Sequence, residues 1–406
     1  MNNVAMVVLS QYPGDPRVRR EAESLARHGI AVDIICYRNP DQTPVEKMGL
    51  ITAHRIMQVR DKTSILRYAA FSQGFGMAAF CKLMALSTRN SYRMVQIHNM
   101  PDQLVFTALL HRLRGIPVIL DLHDLMVELF ESKWTAGKTR VLLPLVKLIE
   151  KASCGFATHL ITTSVGFRQK LLERGIPAEK VTLVLNSADN NIFYRPSNGE
   201  MARHARRGQI LTAPNVVYHG TIAHRFGIHV LIEAIGLLKE RGLSPRLRLH
   251  GKYDADYRPL LEEMIRERGL DEHVTLGGYL LHEEIREMLY DMDVGVVPYL
   301  SDSFMDLALS TKSFEYVAMQ LPVVASRVAS MTSLFSDDSL RYFAPNDAKD
   351  LADQIEFLCR HPETRDSYPD QADLEYEKIA WPVMEARYVG LVEDLMGSDR
   401  GPRPSG

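Results

Sequence analysis

Residues 307–326 read LALSTKSFEYVAMQLPVVAS, and this stretch predicts a phosphate-binding helix that runs into a buried strand. The polar turn Ser310-Thr311-Lys312-Ser313 opens an amphipathic helix, Glu315 follows one turn in, and Leu321-Pro322 ends it. A helix N-terminus offers unpaired backbone N–H groups and a partial positive charge, which suit a phosphate. A carboxylate one turn deeper can accept hydrogen bonds from vicinal hydroxyls. The stretch therefore predicts a nucleotide site, with an ordinary capped helix as the alternative.

The composition predicts a globular protein of two or three domains, since the chain has 406 residues and domains average roughly 150. The four cysteines form no C-x-x-C pair, which indicates a reducing compartment and neither disulfides nor a zinc site. A net charge of −2 suggests no nucleic-acid partner. Residues 1–195 hold 25 basic and 16 acidic residues, against 23 and 34 in the remainder. The basic half suits an anionic membrane surface or a phosphorylated acceptor, or simply presents a solvated face.

Two apolar segments are candidates for a signal peptide or a membrane-spanning helix. The N-terminal run MNNVAMVVLSQYPGD has no cationic lead and is too short for a signal peptide, so it predicts a buried strand. Residues 65–87 are apolar but are interrupted by Arg67, Lys82 and two glycines. A spanning helix needs about 20 mainly uncharged residues, so this segment predicts a core or interfacial helix instead. The localisation expected is cytoplasmic, with peripheral contact to the inner face of the cytoplasmic membrane as a further prediction.

Short apolar strands alternate with helices along most of the chain, which predicts an α/β fold of two doubly wound, Rossmann-like domains. The expected domains are residues 1–195 and 213–375, joined by a polar, basic linker at 196–212. A helical segment at about 376–398 is expected to pack back on the first domain. The strands are predicted at 4–9, 31–36, 94–97, 117–122, 160–163, 181–185, 216–218, 247–249, 274–276, 294–297 and 323–325.

Ligands of doubly wound sheets bind beyond the carboxyl ends of the strands, and this rule gathers the candidate residues. In the first domain His123 follows a strand, and Asp121 or Asp124 could set its tautomer, although a structural histidine is the alternative. His98 is a second candidate by position. In the second domain Gly220 would allow close approach of backbone, and Arg225 could bind phosphate oxygens bidentately.

Several familiar motifs are absent or argue against other chemistry. The D-x-D sequence Asp291-Met292-Asp293 precedes an apolar strand, which does not create an open metal site. The sequence contains no G-x-S-x-G, no Walker A loop and no G-x-G-x-x-G, so hydrolase and kinase functions lack support.

The ordered set of motifs resembles the bacterial family-4 retaining glycosyltransferases of the GT-B fold, which act in cell-surface polysaccharide assembly. The matching stretches span nearly the whole chain: YPGDPRVRREAESLARHG, VILDLHD, LVLNSADNNIF, VVYHGTIAHRFGIHVLIEAI, LRLHGKYDADYRPLLEEM, VTLGGYL, DVGVVPY and STKSFEYVAMQLPVVAS. The resemblance implies two facing domains with an interdomain cleft. The second domain would bind a nucleotide-sugar, and the first would bind the acceptor.

The resemblance also implies roles for single residues. Glu315 looks like the ribose ligand, and Arg225 and Lys312 look like the diphosphate ligands, while His123 matches the histidine that touches the donor sugar. Backbone groups would complete the donor site at Gly220, Thr221, Ser310 and Thr311 for the diphosphate and at Gly278, Tyr279 and Leu280 for the base. Gly14 would approach the diphosphate or the acceptor, and His98 and Asp124 are candidate acceptor contacts.

The sequence departs from the family pattern at two places. Many members carry a second glutamate eight residues before the ribose ligand, where this chain has Leu307, with Asp306 beside it. The usual arginine after the glycine is Thr221, and the usual Lys-Gly pair is Phe226-Gly227. These changes leave Arg225 with more of the expected phosphate binding.

The resulting prediction is a retaining transferase that moves a sugar from a nucleotide-diphosphate sugar to an acceptor hydroxyl in cell-envelope glycan synthesis. The acceptor expected is lipid-linked or an oligosaccharide. No cofactor or metal is expected, because cationic side chains would stabilise the leaving diphosphate. Two alternatives stay open, a nucleotide-sugar 2-epimerase and a non-catalytic sugar-nucleotide-binding partner of a transferase.

Overall fold

The computed structural model describes residues 3–58, 65–133, 141–195 and 206–397, and the chain divides into two compact units. The first unit comprises Met1–Leu185 and Met384–Gly406, and the second comprises Asn186–Val383. The sequence analysis placed the corresponding boundaries at residues 195, 213 and 375. Residues 196–205 of the predicted linker, and residue 398 of the predicted C-terminal segment, lie outside the described residues.

The first unit is built on an eight-stranded sheet. Its strands are β1 (Asn3–Gln11), β2 (Ala31–Arg38), β3 (Val45–Met48), β4 (Ile51–Gln58), β5 (Tyr92–His98), β6 (Val118–Leu122), β7 (His159–Thr162) and β8 (Val181–Leu183). Their order across the sheet is β3-β4-β2-β1-β5-β6-β7-β8. Neighbouring strands are parallel except for the β3–β4 pair, which is antiparallel. All five residues of β6 are buried, as expected for a parallel strand covered on both faces.

Helices of the first unit are α1 (Pro16–Arg27), α2 (Ile65–Ser87), α3 (Leu109–Leu113), α4 (Met126–Lys133), α5 (Leu143–Phe156) and α6 (Val165–Glu173). Asp15 caps α1, because its carboxylate accepts a hydrogen bond from the backbone N–H of Arg17 at 3.2 Å. A 3-10 helix, Asp102–Ala108, leads directly into α3. Over the described residues, no helix combines the length and apolar character needed to cross a membrane.

The second unit is built on a six-stranded, all-parallel sheet. Its strands are β9 (Asn215–His219), β10 (Arg246–His250), β11 (Val274–Gly277), β12 (Val294–Val297), β13 (Val323–Ser326) and β14 (Arg341–Phe343), in the order β11-β10-β9-β12-β13-β14. Its helices are α7 (Ile228–Glu240), α8 (Tyr257–Glu267), α9 (His282–Leu289), α10 (Thr311–Ala318), α11 (Ala329–Thr332), α12 (Ala348–Arg360) and α13 (Pro362–Tyr376), and α14 (Trp381–Gly397) begins in it.

Residues 206–212, assigned to the linker by the sequence analysis, pack on the second unit. Arg206 Nη1 donates to Asp293 Oδ2 at 2.6 Å, and Leu211 is buried in the hydrophobic core of this unit. Asp293 Oδ2 also accepts the backbone N–H of Asn215 at 2.7 Å. The second aspartate of the D-x-D sequence therefore binds a guanidinium and a backbone amide.

Helix α10 is largely enclosed by the rest of the second unit. Every residue from Lys312 to Ala318 is buried. Phe314, for example, packs against Phe335 and against Tyr376 of α13, with ring centroids 6.1 and 5.8 Å apart. The sequence pattern did not indicate that α13 would cover the outer face.

The C-terminal part of α14 belongs to the first unit. The Tyr388 hydroxyl donates to Gln96 Oε1 on β5 at 2.7 Å, and Gln96 Nε2 donates to Glu21 of α1 at 2.6 Å. Arg27 and Glu385 form an ion pair at 2.6 Å. These contacts attach the end of the chain to its first helix and to the middle of the first sheet.

Each sheet has one point at which the strand order reverses. In the first sheet β1 lies between β2 and β5, and in the second β9 lies between β10 and β12. Open parallel sheets bind ligands outside the carboxyl ends of the strands at such points. The residues that follow β1, β5, β6, β9, β10 and β11 are therefore the first place to look for function.

Candidate functional site

A pocket of about 220 Å³ opens at the carboxyl ends of β9, β10 and β11 in the second unit. Its walls come from these strand ends and from helices α9 and α10. The lining residues are His219, Gly220, Thr221, His250, Gly251, Tyr279, Leu280, His282, Ile285, Thr311, Lys312 and Glu315. Seven of the residues that the sequence analysis assigned to donor binding or catalysis meet here: Gly220, Thr221, Tyr279, Leu280, Thr311, Lys312 and Glu315.

Three predicted residues of this unit are not among the lining residues. The Arg225 guanidinium lies against the rings of Phe226 and Phe304, 5.1 and 5.8 Å from their centroids. Gly278 accepts the backbone N–H of Gly251 at 3.0 Å through its carbonyl oxygen. Ser310 is the buried N-cap residue of α10. Their roles as donor ligands stay predictions.

Lys312 is held in a cage of three aromatic rings. Its Nζ lies 5.0 Å from the ring centroid of Tyr218, 5.1 Å from that of Phe226 and 5.3 Å from that of Tyr299. Nζ also donates to the Tyr299 hydroxyl at 3.1 Å. Burial opposes the charged form, but the hydroxyls of Tyr218 and Tyr299 and the carboxylate of Glu315 hold the pKa of Lys312 above its usual value. Lys312 is therefore a fixed, permanently charged ammonium group at the pocket wall.

Gly220 allows this ammonium group to lie directly below the turn that follows β9. The residue has φ +109°, and a Cβ atom at this position would lie 2.6 Å from Lys312 Cε. Only glycine tolerates both the backbone conformation and the lysine beneath it. The turn thus presents backbone to the pocket from one side while the N-terminus of α10 does so from the other. Both this helix end and Lys312 carry positive charge, so the pocket suits an anion.

Glu315 supplies the carboxylate of the pocket. Its Oε2 lies 3.1 Å from His219 Nε2, and its side chain is 12% exposed. Burial, reinforced by the charge of Lys312, lowers the pKa of His219 well below its usual value, so the imidazole is neutral. A carboxylate accepts hydrogen bonds from hydroxyl groups, so Glu315 is the candidate hydroxyl acceptor of the pocket.

Sequence reasoning missed several parts of this pocket. His250, His282 and Ile285 line it without having been singled out, and Tyr218 and Tyr299 were not recognised as the cage around Lys312. Tyr299 carried a signal, because it follows β12 directly after Pro298, at the same edge as the other candidates. His282 and Ile285 carried none, because they lie on a helix.

In the first unit, two predicted histidines meet one buried aspartate. Asp121 Oδ2 lies 2.9 Å from His98 Nδ1 and 2.7 Å from His123 Nε2, and the two nitrogens lie 3.1 Å apart. Burial would raise the pKa of Asp121, but His123 and His98 hold it well below its usual value. Glu21 lies in the same network, and its pKa is raised well above the usual value by burial and by Asp121. The pKa values of Glu21 and Asp121 are thus shifted in opposite directions within one network.

The ligand atoms of His98, Asp121 and His123 lie within 4.8 Å of one another, which is close enough to hold a metal ion. Metal-bound imidazoles normally donate their other N–H group to a carboxylate, a carbonyl or water. Among the described residues, neither His98 Nε2 nor His123 Nδ1 has a hydrogen-bond partner. Asp121 contacts both imidazoles and so orients His123 within this network.

Asn99, which the sequence analysis did not single out as a ligand, fixes the turn after β6. Its Oδ1 accepts the backbone N–H of His123 at 2.8 Å, and its Nδ2 donates to the Asp124 carbonyl at 2.6 Å. Gly14 lies in the exposed turn after β1, at the edge of the sheet where β5 and β6 also end. The structure thus places His98, His123, Asp124 and Gly14 at one edge of the first sheet.

Asp102 gives this region a testable pH dependence. Its carboxyl accepts a hydrogen bond from Asn99 Nδ2 at 2.9 Å, and burial raises its pKa from 3.8 to about 7. Between about pH 4 and pH 7 the unfolded chain ionises this group while the folded protein keeps it protonated, so the free energy of unfolding falls as pH rises. Asp102→Asn removes this fall and should gain stability relative to the wild type, by on the order of a few kcal/mol at about pH 8.

The measurement is urea unfolding of both proteins at about pH 5 and about pH 8, with the exposed Asp41→Asn as the matched control. The difference between Asp102→Asn and wild type should grow with pH, whereas Asp41→Asn should track the wild type. Parallel pH profiles for wild type and Asp102→Asn would contradict a protonated Asp102.

Comparison with known protein families matches both units. A model described as "Glycosyl transferase 4-like domain" matches residues 14–187, and one described as "Glycosyl transferases group 1" matches residues 213–361. Alpha-D-kanosaminyltransferase of Streptomyces kanamyceticus is 26% identical over 66% of this chain and 67% of its own length. The amylovoran biosynthesis glycosyltransferase AmsK of Erwinia amylovora is 25% identical over 48% of this chain and 45% of its own length.

Solved structures share the fold over almost the whole chain. Sucrose-phosphate synthase from Thermosynechococcus elongatus superposes with a TM-score of 0.79 at 18% identity and covers 98% of this chain and 100% of its own. The Anabaena protein HepE in complex with UDP-glucose gives a TM-score of 0.70 at 14% identity, covering 97% and 100% of the two chains. At these identities the similarity establishes the architecture alone.

Proposed function

The chain belongs to the family-4 glycosyltransferases of the GT-B fold, and on that premise we propose that it transfers a sugar from a nucleotide-diphosphate sugar to an acceptor hydroxyl with retention. The pocket beyond β9–β11 is the proposed donor site. One observation carries the proposal: Lys312 and Glu315, one helical turn apart on α10, line the same pocket as the Gly220 turn. A diphosphate and a ribose are the chemical groups that this pair suits.

The proposed contacts divide the donor between the walls of the pocket. Lys312, the N-terminus of α10 and the backbone of Gly220 and Thr221 bind the diphosphate. Glu315 accepts hydrogen bonds from the ribose hydroxyls. Backbone at Gly278, Tyr279 and Leu280 lies against the base, and Arg225 is a further proposed diphosphate ligand. His123, oriented by Asp121, contacts the donor sugar.

In the proposed reaction, the bond between the anomeric carbon and the diphosphate oxygen breaks and a bond to the acceptor oxygen forms on the same face. The acceptor hydroxyl proton passes to the departing diphosphate, so charge and protons balance. Lys312 stabilises the charge that develops on the leaving group, in a buried setting where such stabilisation is strong. A cation fixed by the protein makes metal assistance unnecessary in this proposal.

The proposed acceptor is a lipid-linked sugar or an oligosaccharide in cell-envelope glycan synthesis, at the inner face of the cytoplasmic membrane. Relatives named for colanic acid and amylovoran biosynthesis support this assignment. The relatives named for an activity are transferases, so neither the 2-epimerase nor the non-catalytic partner is favoured.

The proposal is tested by measuring binding and slow hydrolysis of uridine, guanosine and adenosine diphosphate sugars by the purified protein, with and without chelator. We expect one donor to bind tightly and to be hydrolysed at a rate that chelator does not change. That donor is then offered with candidate acceptors, and retention is read from the anomeric configuration of the product. Absence of binding by every donor would overturn the assignment of the pocket, and loss of hydrolysis with chelator would overturn metal independence.

A further inference from the structure

Helix α5 of the first unit presents an apolar face to solvent. Val141, just before the helix, is 80% exposed, and Leu145 and Leu148 are 53% and 62% exposed. Their spacing of four and then three residues places the three side chains on the same side of a helical backbone. Large aliphatic side chains exposed side by side on one helix are unusual for a surface that faces only water, and they indicate an interaction site.

The charges on this face are mainly basic. Lys147 and Lys151 are exposed among the leucines, and the single acidic residue of α5, Glu150, is buried and paired with Arg174. One carboxylate from a neighbouring helix approaches the face: Glu131 of α4 lies 3.7 Å from Lys147 Nζ. A helix face with leucines and lysines and almost no carboxylate is typical of an element that lies in a membrane interface.

An adjacent segment also exposes apolar and basic side chains. The 3-10 helix and α3 expose Phe106, Leu109 and Leu113, and Leu113 is 73% exposed. This segment touches the C-terminal end of α5, because the Phe106 ring packs on that of Phe156 with centroids 5.1 Å apart. Arg112 and Arg114, both exposed, contribute two more cations.

We propose that the exposed face of α5, extended by α3, docks on an anionic lipid bilayer. The pattern of charges distinguishes between two partners for this face, a lipid bilayer and a second copy of the chain. In a symmetric dimer through this face, the lysines and arginines of two copies would oppose one another, whereas anionic headgroups would neutralise them while the leucines enter the acyl boundary. The excess of basic residues in the first half of the chain favours the same partner. The inference rests on the proposed function, because a lipid-linked acceptor resides at a membrane surface and gives the enzyme a reason to dock there.

The test is sedimentation of the full-length protein with vesicles of phosphatidylcholine alone or mixed with phosphatidylglycerol, without donor or acceptor. We expect binding to the mixed vesicles and weakening of that binding by salt. The double variant Leu145→Glu/Leu148→Glu should reduce the partition coefficient at least about tenfold. The variant Lys147→Glu/Lys151→Glu should reduce binding to anionic vesicles by a similar factor.

Matched controls are Met77→Glu, which charges a 66% exposed apolar residue on α2, and Lys47→Glu on β3. Both should bind vesicles as the wild type does. Equal binding by wild type and the α5 variants, or no binding by the wild type, overturns the proposal. A dimer in light scattering that the leucine variant abolishes also overturns it and assigns the face to a second copy. Donor hydrolysis, measured separately in solution, distinguishes a failed docking surface from a failed donor site.

Discussion

Replacing Lys312 by methionine is expected to lower kcat/KM of the transferase by about two to three orders of magnitude. Methionine keeps the apolar stem as far as Cε, so most of the packing inside the rings of Tyr218, Phe226 and Tyr299 is retained. What is lost is the ammonium group that the cage fixes beside the proposed diphosphate position. Because this charge acts on the leaving group, kcat should fall as well as donor affinity.

The measurement is donor turnover over a range of donor concentrations, with circular dichroism to confirm the fold. Lys349→Met, which removes an exposed lysine of α12, is the matched control and should retain wild-type turnover. Turnover of Lys312→Met within a few-fold of wild type would remove Lys312 from the mechanism. Arg225→Ala belongs in the same series, because its loss of turnover would rank the two cations directly.

Gly227→Ala is expected to lower the free energy of unfolding of the second unit by about 3 kcal/mol or more. Gly227 has φ +67°, and an added Cβ would lie 1.8 Å from the carbonyl oxygen of Pro298. The obstacle is backbone at the end of β12, so it cannot rotate away as a side chain would. Relief requires the loop from Gly220 to Gly227 to move, and this loop carries part of the proposed donor site. Donor affinity should therefore fall together with stability.

Gly242→Ala separates the cost of the left-handed backbone conformation from the cost of the contact with Pro298. Gly242 has a similar backbone conformation, φ +86°, but an added Cβ would meet nothing within 4 Å. It should therefore cost only the left-handed strain, about 1 kcal/mol, and should leave donor affinity unchanged. Chemical unfolding and donor titration of both variants make the comparison. Equal losses of stability in Gly227→Ala and Gly242→Ala would show that the Cβ added at residue 227 avoids the Pro298 carbonyl oxygen at no energetic cost.

The architecture was predictable from sequence because alternating apolar strands and helices leave few topologies open. The same logic brought Lys312, Glu315 and Gly220 to one pocket, since strand ends gather at one edge of a parallel sheet. The cage around Lys312 was not predictable, because Tyr218 and Tyr299 are far apart in sequence and meet only through the pairing of β9 with β12.

Other features were not predictable because they depend on contacts between residues that are distant in sequence. The amphipathic pattern of the helix after Ser310 did not indicate that α13 would pack against it through Tyr376 and Phe314. The direction of the Arg225 side chain also depends on distant residues, because Phe304 lies many residues later in the chain. Residues 206–212 were assigned to the linker for their polar composition, yet Arg206 pairs with the buried Asp293. In each case a contact distant in sequence overrides a local pattern.

The hydrogen bond between Tyr388 and Gln96 also constrains the order of events during synthesis. Gln96 is synthesised 292 residues before Tyr388, so the hydrogen bond between them cannot form until the second unit has also been synthesised. The second unit is continuous in sequence from Asn186 to Val383, so all of it is synthesised before Tyr388. Most of the first unit is synthesised first, but its Gln96 amide lacks the Tyr388 hydroxyl as a hydrogen-bond partner until α14 has been made. A chain that stops between Val383 and Tyr388 thus contains the whole second unit but lacks a segment that the first unit needs.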